Sequence, residues 1–525
     1  MVSRRIMKLC KVLSGGLLMT SHTFAMSFSS TTELTGVLPC DALIQAGLRK
    51  RLLLPTEPSY DARIQSYWSL NSQQHPFCIL QPQDTNEVTK AMTALLGAEA
   101  AGDWHIAIRA GGHSIVGANN IDNGVTIDLV HLNQVTYDKD TNLASIGPGL
   151  KWMDVYAKLE QYDVLVAGGR DGDVGVGGFL LGGGSTFYMG TQGFGCDDIK
   201  NYEVVLTNGT IINANEKRNR DLWLALKGGG SNFGIVTRYD MEALPNEKLA
   251  YRLRTINITE ASRISSALVK FTDNYEYYQE DALVVFLMHN ATAGIDETII
   301  GTIQVNTGGK INDTSFTELD KIPDLTPSRY EHVSMADAAA GSRSKGGTWH
   351  VFPQFFLQMA GFTLTFANDK RVLKKAVEMH EEFVQDLKKR LHANQFVTEF
   401  FFQPMPSMFS HISNQKGGNM IESDLKERNA LLWTAGVTVN TNQQDRAFAQ
   451  SLLNIMIAKL KKYSQWCGAS NDLIYMNYAA SHQDPLGSYG SANVKFLKDV
   501  ARLYDPKGLF QTRFPGGFKI SRVGS

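Results

Sequence analysis

Glycine is concentrated in one part of this chain, and that concentration limits what the chain can fold into. Residues 109–236 contain 23 of the 47 glycines but make up only about a quarter of the 525 residues. Glycine is used where backbone must approach another group closely or adopt a positive φ angle. The segment therefore predicts several tight loops around one binding site. A hydrophobic content of 43% excludes a disordered or collagen-like chain.

Length and charge narrow the class further. At roughly 150 residues per domain, the chain has room for about three domains, or two larger ones. The 51 basic and 52 acidic residues give a formal net charge of −1, which argues against a nucleic-acid partner. No segment after residue 25 is apolar over the ~20 residues that a membrane span requires. We expect no membrane partner and no metal site.

The first 25 residues are typical of a secretory signal. Four basic residues and no acid precede an apolar run, and small residues at Thr23 and Ala25 offer a cleavage site. The alternative is a short membrane anchor, but the run has about half of the length that a span needs. We therefore expect a signal peptide over residues 1–25 and a secreted protein.

The cysteines and sequons fit that compartment. Cys10 leaves with the signal, and an oxidising environment favours a bridge between Cys40 and Cys78, whereas an intracellular chain would keep both reduced. Cys196 and Cys467 stand alone. Four N-x-S/T sequons can accept glycans in a eukaryotic secretory route: Asn208, Asn257, Asn290 and Asn312.

Composition and periodicity divide the remainder of the chain. Residues 26–76 form a partly helical lead-in, and residues 77–250 alternate short strands and helices with glycine loops. Residues 251–470 contain longer mixed segments that predict a second domain of sheet and helices. Residues 471–525 contain a helix that Pro506 ends. The fold class is therefore α+β.

Local signals place individual elements within these stretches. Asp84 and Glu87 predict a capped helix start, and the dipeptide at Asn208 and Gly209 predicts a β-hairpin. Asn368 predicts the cap of an amphipathic helix.

Common catalytic motifs are missing from the sequence. There is no P-loop, and the pair Gly175 and Gly177 lacks the third glycine, at position 180, of a dinucleotide-binding fingerprint. The zinc-peptidase H-E-x-x-H and serine-hydrolase G-x-S-x-G motifs are absent too.

Three glycine loops carry the chemistry instead. The first glycine loop, residues 109–117, begins Arg-Ala-Gly-Gly-His-Ser, so that successive N–H groups can surround a pyrophosphate while Ser114 donates a hydrogen bond and Arg109 balances charge. His113 adds a ring nucleophile. Taken alone, the same residues also fit an ordinary turn with a surface histidine.

The other two loops and a tyrosine segment complete the pattern. The second glycine loop, residues 168–184, permits a flat cofactor to lie directly on backbone, although a flexible linker is the alternative. The third glycine loop, residues 228–237, leads into a β-branched strand. Residues 475–478 include two tyrosines, which either act as acid–base groups or close a core, and spacing alone favours the core.

In this order, the four segments resemble the FAD-linked oxidases of the vanillyl-alcohol oxidase superfamily, specifically the fungal berberine bridge enzyme-like group. The resemblance covers about residues 35–520. It implies a two-part, PCMH-type FAD-binding domain and a separate substrate domain of antiparallel sheet covered by helices, with residues 471–525 returning to the FAD domain. It also implies that His113 is bonded to the 8α-methyl of FAD.

The resemblance assigns further residues. Tyr478 is the expected catalytic base, and Gln403 is the polar group near it, since Phe401 stands where some relatives have a polar partner. The expected FAD-binding residues are Arg109, Ala110, Gly111, Gly112, His113, Ser114, Gly117, Val174, Gly175, Gly177, Gly178, Gly183, Gly184, Gly234, Ile235, Val236 and Asn477.

Three positions in the sequence refine this expectation. Asp171 occupies the position of a cysteine that makes a second flavin link in many relatives, so a single link is expected. Val174 favours reaction with oxygen. Ser185 replaces an active-site tyrosine of some plant members.

The resemblance implies a secreted oxidase that transfers hydride from a small-molecule alcohol or amine to covalent FAD, which O2 reoxidises to give H2O2. Alternatives are a flavin-bearing cyclase, a carbohydrate oxidase and a non-catalytic binding protein. Aromatic residues at 352–356 and 400–402 agree with a hydrophobic secondary metabolite, although sheet core is the stronger explanation of them and at most alternate residues can face a pocket.

Overall fold

The computed structural model describes residues 34–97, 102–114, 117–291, 294–342, 359–421, 425 and 427–524. The expected signal peptide, Cys10 and the aromatic residues at 352–356 lie outside the described residues.

A four-stranded sheet opens the first part of the fold. Its order is β1-β2-β4-β3, in which β4 pairs in parallel with both neighbours and β1 pairs antiparallel with β2. The strands and nearby helices are α1 (Leu38–Leu43), β1 (Leu52–Leu53), α2 (Pro58–Gln65), β2 (Cys78–Leu80), α3 (Thr85–Gly97), β3 (His105–Arg109) and β4 (Gly124–Asp128).

Two predictions about this region are confirmed. A disulfide joins Cys40 to Cys78 and so ties α1 to β2. Helix α3 begins as expected, because the Glu87 N–H donates to Asp84 Oδ1 at 2.8 Å and the Glu87 carboxylate accepts from the Gln83 N–H at 2.8 Å.

A five-stranded antiparallel sheet follows, in the order β5-β6-β10-β8-β9. The predicted hairpin is confirmed, since Val205 pairs with Ile211 across a turn in which Gly209 has a φ of 78°. The elements are β5 (Val135–Asp138), β6 (Leu143–Ile146), α4 (Trp152–Glu160), β7 (Val164–Leu165), α5 (Val176–Leu181), α6 (Met189–Gln192), β8 (Ile199–Val205), β9 (Ile211–Asn215), α7 (Arg220–Leu226), β10 (Ile235–Glu242) and β11 (Leu244–Pro245).

An eight-stranded antiparallel sheet forms the second part, in the order β15-β12-β14-β13-β17-β18-β16-β19. The strands are β12 (Leu249–Asn257), β13 (Asp281–Asn290), β14 (Ile295–Asn306), β15 (Glu331–Val333), β16 (Met359–Ala367), β17 (Phe396–Met405), β18 (Ala430–Val439) and β19 (Ser470–Asn471). The helices are α8 (Ala261–Asp273), α9 (Thr317–Asp320), α10 (Met335–Gly341), α11 (Lys370–Lys388), α12 (Met408–Gln415) and α13 (Gln443–Trp466).

Helices α8, α11 and α13 pack against this sheet. Helix α11 buries the predicted apolar residues, and its His380 ring meets Phe400 of β17 with centroids 4.5 Å apart. The cap prediction is wrong by one residue: Asp369 accepts from the Arg371 N–H, whereas the Asn368 amide donates to Val269 of α8.

The C-terminal segment returns to the first sheet. After α14 (Gly490–Tyr504) and α15 (Leu509–Thr512), the Arg513 carbonyl accepts from the Ile106 N–H of β3 at 2.7 Å. Phe510 and Phe514 are buried in the core beneath that sheet. The predicted α+β class with an antiparallel, helix-covered second sheet is confirmed.

Two searches of the described residues found nothing. None of their helices has the length and apolar character to cross a membrane. Nor do three or more of their His, Cys, Asp or Glu side chains group where a metal ion could bind.

Candidate active site

The first glycine loop leaves β3 and is braced from behind by a buried arginine. Arg109 Nη1 donates to the Arg63 carbonyl at 2.9 Å, and Nη2 donates to Ser66 Oγ at 2.7 Å. Gly112 has a φ of 76°, and its carbonyl accepts from the Trp68 N–H at 3.0 Å. The predicted charge balance between Arg109 and a phosphate gains no support from this geometry, because the guanidinium is directed into the protein.

His113 lies at the accessible edge of the same loop. Its ring stacks on Trp68 with centroids 4.6 Å apart, and its side chain is 23% exposed. Asp171 of the second glycine loop lies opposite, with Oδ2 at 3.9 Å from His113 Nε2. Ser114 follows, and Gly117 takes a φ of 67°. The two loops therefore meet at the residue expected to carry the flavin.

The first and second loops touch through their backbones. A Cβ on Gly111 would lie 2.4 Å from the Gly175 Cα, and a Cβ on Gly177 would lie 3.0 Å from the Ala110 Cβ. Only glycine permits the first of these contacts. Val174, next to the contact, is half-buried.

Beside this backbone contact, Gly178 is exposed, and no atom lies within 4 Å of where its Cβ would be. Exposed backbone at Gly178, next to the close contact of the two loops, leaves room for a flat ring to lie against the backbone. The loop residues therefore fit FAD.

The end of the second loop is locked to the tyrosine segment. The Gly184 N–H donates to the Tyr475 hydroxyl at 3.0 Å, and the Asn477 amide donates to the Phe179 carbonyl at 3.0 Å. Gly183 and Gly184 both have positive φ angles, 108° and 88°. Burial raises the pKa of Tyr475 well above its ordinary value. Tyr475 is thus a structural acceptor for the Gly184 N–H and the Asn477 amide, and the base must be sought elsewhere.

The third glycine loop packs against the five-stranded sheet. A Cβ on Gly234 would lie 2.4 Å from Val204 Cγ1, and the side chains of Ile235 and Val236 are buried. Any contact of these residues with FAD is therefore made by backbone.

The two predicted catalytic residues are joined by a third that sequence reasoning did not assign. Arg170 Nη2 donates to Gln403 Oε1 at 2.6 Å and to Tyr478 Oη at 3.0 Å. The guanidinium also lies over Phe187, 5.8 Å from the ring centroid. An arginine inside a run of glycines is the signal that could have identified it, because a permanent cation there needs partners.

Each part of this site comes from a different region of the chain. Arg170 belongs to the second glycine loop, Gln403 to β17, and Tyr478 to the turn Met476–Tyr478 before α14. The site therefore lies where the eight-stranded sheet, the C-terminal segment and the glycine loops meet.

Known proteins match this chain over almost its whole length. Residues 76–215 match the family model described as FAD binding domain. The chain is 32% identical over 487 residues to the FAD-dependent monooxygenase drtC of Aspergillus calidoustus. The matched region covers 92% of this chain and 90% of that protein.

Two solved structures share the fold. Berberine bridge enzyme from Eschscholzia californica is 18% identical, with a TM-score of 0.69 over 90% of this chain and 97% of that one. Glucooligosaccharide oxidase from Acremonium strictum, whose FAD is 6-S-cysteinyl and 8α-N1-histidyl, is 16% identical, with a TM-score of 0.70 over 93% of this chain and 99% of that one. The expected family of FAD-linked oxidoreductases is confirmed: the chain belongs to the FAD-dependent oxidoreductases that include drtC, and it shares its fold with berberine bridge enzyme.

Proposed function

We propose that this protein is a secreted oxidase that holds FAD covalently through His113 and oxidises a small-molecule alcohol or amine. The observation that carries the proposal is the Arg170 guanidinium, which joins Gln403 and Tyr478 beside the glycine loops. When bound, FAD supplies an acceptor for hydride and passes the electrons to O2, giving H2O2.

Tyr478 is the proposed base. Its hydroxyl oxygen takes the O–H or N–H proton of the substrate while the adjacent C–H bond is broken. The guanidinium of Arg170 donates a hydrogen bond to that oxygen at 3.0 Å and holds it in place. Gln403 holds the guanidinium in place from β17 by accepting its hydrogen bond.

A single covalent link is proposed because Asp171 cannot supply a thioether. Asp171 instead places a carboxylate near the ring of His113. The histidyl link of glucooligosaccharide oxidase supports this proposal by likeness of fold.

A monooxygenase is the second candidate, because the relative drtC bears that name. Reaction with 18O2 separates the two. An oxidase releases the label as peroxide, one per product, without added NAD(P)H. A monooxygenase inserts one labelled oxygen atom into the product and needs an external reductant for the other.

The cyclase, carbohydrate-oxidase and binding-protein alternatives predict other results when the protein is mixed with a panel of alcohols, sugars and metabolite extracts. A pure cyclase releases no peroxide, and the flavin of a carbohydrate oxidase is reduced by sugars alone. The flavin of a binding protein stays oxidised with every compound.

The experiment is stopped-flow reduction of the flavin by a panel of aromatic alcohols, sugars and fungal metabolite extracts. With a reducing substrate, Tyr478→Phe is expected to slow flavin reduction by about 10² to 10⁴-fold. Arg170→Met removes the cation and the hydrogen bond that Arg170 supplies to Tyr478, and is expected to slow flavin reduction by about 10²-fold or more. Arg329→Met, at a side chain that is 87% exposed, is the matched control. Unchanged reduction in Tyr478→Phe contradicts the proposed base.

Secretion is proposed from the N-terminal sequence alone. Expression in a fungal host with N-terminal sequencing of the medium fraction tests it, and a mature chain that begins near residue 26 is expected. Retention of residues 1–25 on an intracellular protein would contradict it.

A further inference from the structure

The face of the eight-stranded sheet that carries Gln403 has a partly exposed patch beyond the reacting groups. Met288 of β13, Glu399 and Phe401 of β17, and Thr434 of β18 are all partly exposed. They are neighbours in register, because Glu399 lies opposite Met288 and Phe401 lies opposite Thr434. We call these four residues the distal patch.

The distal patch shares a face with the proposed active site. Side chains of a strand alternate between faces, so Glu399, Phe401 and Gln403 point the same way, and Gln403 reaches Arg170. Phe400 points to the other side, against the Trp433 ring at 5.5 Å. Four residues of strand separate Glu399 from Gln403, a distance of about 13 Å.

Two polar groups of the patch have no hydrogen-bond partner within the described ranges. Among the described residues, no donor or cation contacts the Glu399 carboxyl, and burial alone raises its pKa to about 7. The Thr434 Oγ1 is fully buried and likewise has no hydrogen-bond partner there. Leaving such groups unsatisfied destabilises a fold, so they are expected where a ligand supplies the missing hydrogen bonds.

The two groups complement each other chemically. Glu399 and Thr434 form a diagonal pair across β17 and β18, which places their backbones roughly 7 to 8 Å apart. Gly436, directly opposite Glu399, has no side chain to fill the space between them. A carboxylate accepts a hydrogen bond and a threonine hydroxyl can donate one, so one hydroxyl group of a ligand satisfies both.

We infer that Glu399 and Thr434 recognise a hydroxyl group at the far end of an elongated aromatic substrate whose other end meets Tyr478. Phe401 and Met288 supply the apolar contacts for the rings between these ends. The inference rests on the proposed function for the position of the reacting end, and it adds the substrate class: hydroxylated molecules about two aromatic rings long.

The test uses two probes, biphenylmethanol with and without a para hydroxyl group on the second ring. Calorimetry on the oxidised holoenzyme at pH 8, where the Glu399 carboxyl is ionised, measures binding without requiring turnover. We expect the hydroxylated probe to bind at least about tenfold more tightly, as a hydrogen bond to a charged group predicts. Glu399→Met should abolish that preference, Thr434→Val should reduce it several-fold, and Glu399→Gln should retain part of it.

Glu331→Gln, at an exposed carboxylate on the same sheet, is the control and should keep the full preference. Equal affinities of wild type for the two probes, failure to bind either probe, or a preference that survives Glu399→Met would each overturn the inference. The proposed function fails separately: if the probes show the expected preference but no compound of the panel reduces the flavin with release of peroxide, the oxidase is contradicted and the recognition site stands.

Discussion

Glu399 makes the stability of this protein depend on pH in a calculable way. Burial raises its pKa from an ordinary 4.5 to about 7. Each tenfold change in proton affinity is worth about 1.4 kcal/mol, so the full difference is worth about 3 kcal/mol. Between pH 4.5 and 7 the native carboxyl is protonated while the unfolded one is ionised. The native state therefore binds more protons, and the free energy of unfolding falls as the pH rises through that window.

Glu399→Gln removes the titration and isolates this contribution. At pH 4.5 or below, ionisation of Glu399 contributes little to the difference in the free energy of unfolding between the variant and the wild type. At pH 8 the variant should gain about 3 kcal/mol relative to the wild type. For a chain of this length that is about 3 °C in the thermal midpoint, if the two parts unfold together.

Thermal unfolding followed by circular dichroism at pH 4.5, 6 and 8 measures the difference. Glu331→Gln is the control, because its carboxylate is exposed and should give no such trend. A wild type and a Glu399→Gln variant whose midpoints run parallel over this range would refute the reasoning that the carboxyl is desolvated.

Three further predictions concern the frame of the molecule. Replacing both cysteines of the Cys40–Cys78 bridge by serine should cost about 4 kcal/mol, from loop closure over a separation of 38 residues, and lower the thermal midpoint. Gly111→Ala puts a Cβ 2.4 Å from the facing loop and should abolish flavin incorporation, whereas Gly97→Ala, in open space at the end of α3, should incorporate flavin normally. Mass spectrometry of the secreted protein should find glycans on exposed Asn312 and none on Asn290, which is fully buried.

The sequence predicts best what depends on neighbouring residues. The helix start at Asp84, the hairpin at Gly209 and the alternation of β17 are short-range patterns, and the structure agrees with each. The glycine loops could be predicted from the sequence for the same reason, because a tight backbone contact requires glycine at fixed positions. The cap of α11 is displaced by one residue, since two adjacent residues, Asn368 and Asp369, could both accept the helix N–H groups.

Roles that depend on distant contacts were not predictable. Arg170 bonds to partners 233 and 308 residues away in sequence, and no local pattern brings them together. Arg109 was expected to face a phosphate, but Arg63 and Ser66 of the lead-in accept its hydrogen bonds. The unpartnered state of Glu399 is likewise a property of the assembled sheet.

The central claim of this account is that His113 carries the flavin. Purified protein from flavin-replete cells, denatured and digested with trypsin, gives the direct test by tandem mass spectrometry. The account predicts that the peptide containing His113 bears the mass of FAD on that histidine, and that Asp171 is unmodified. A peptide recovered without flavin from a protein that was yellow before denaturation would contradict it.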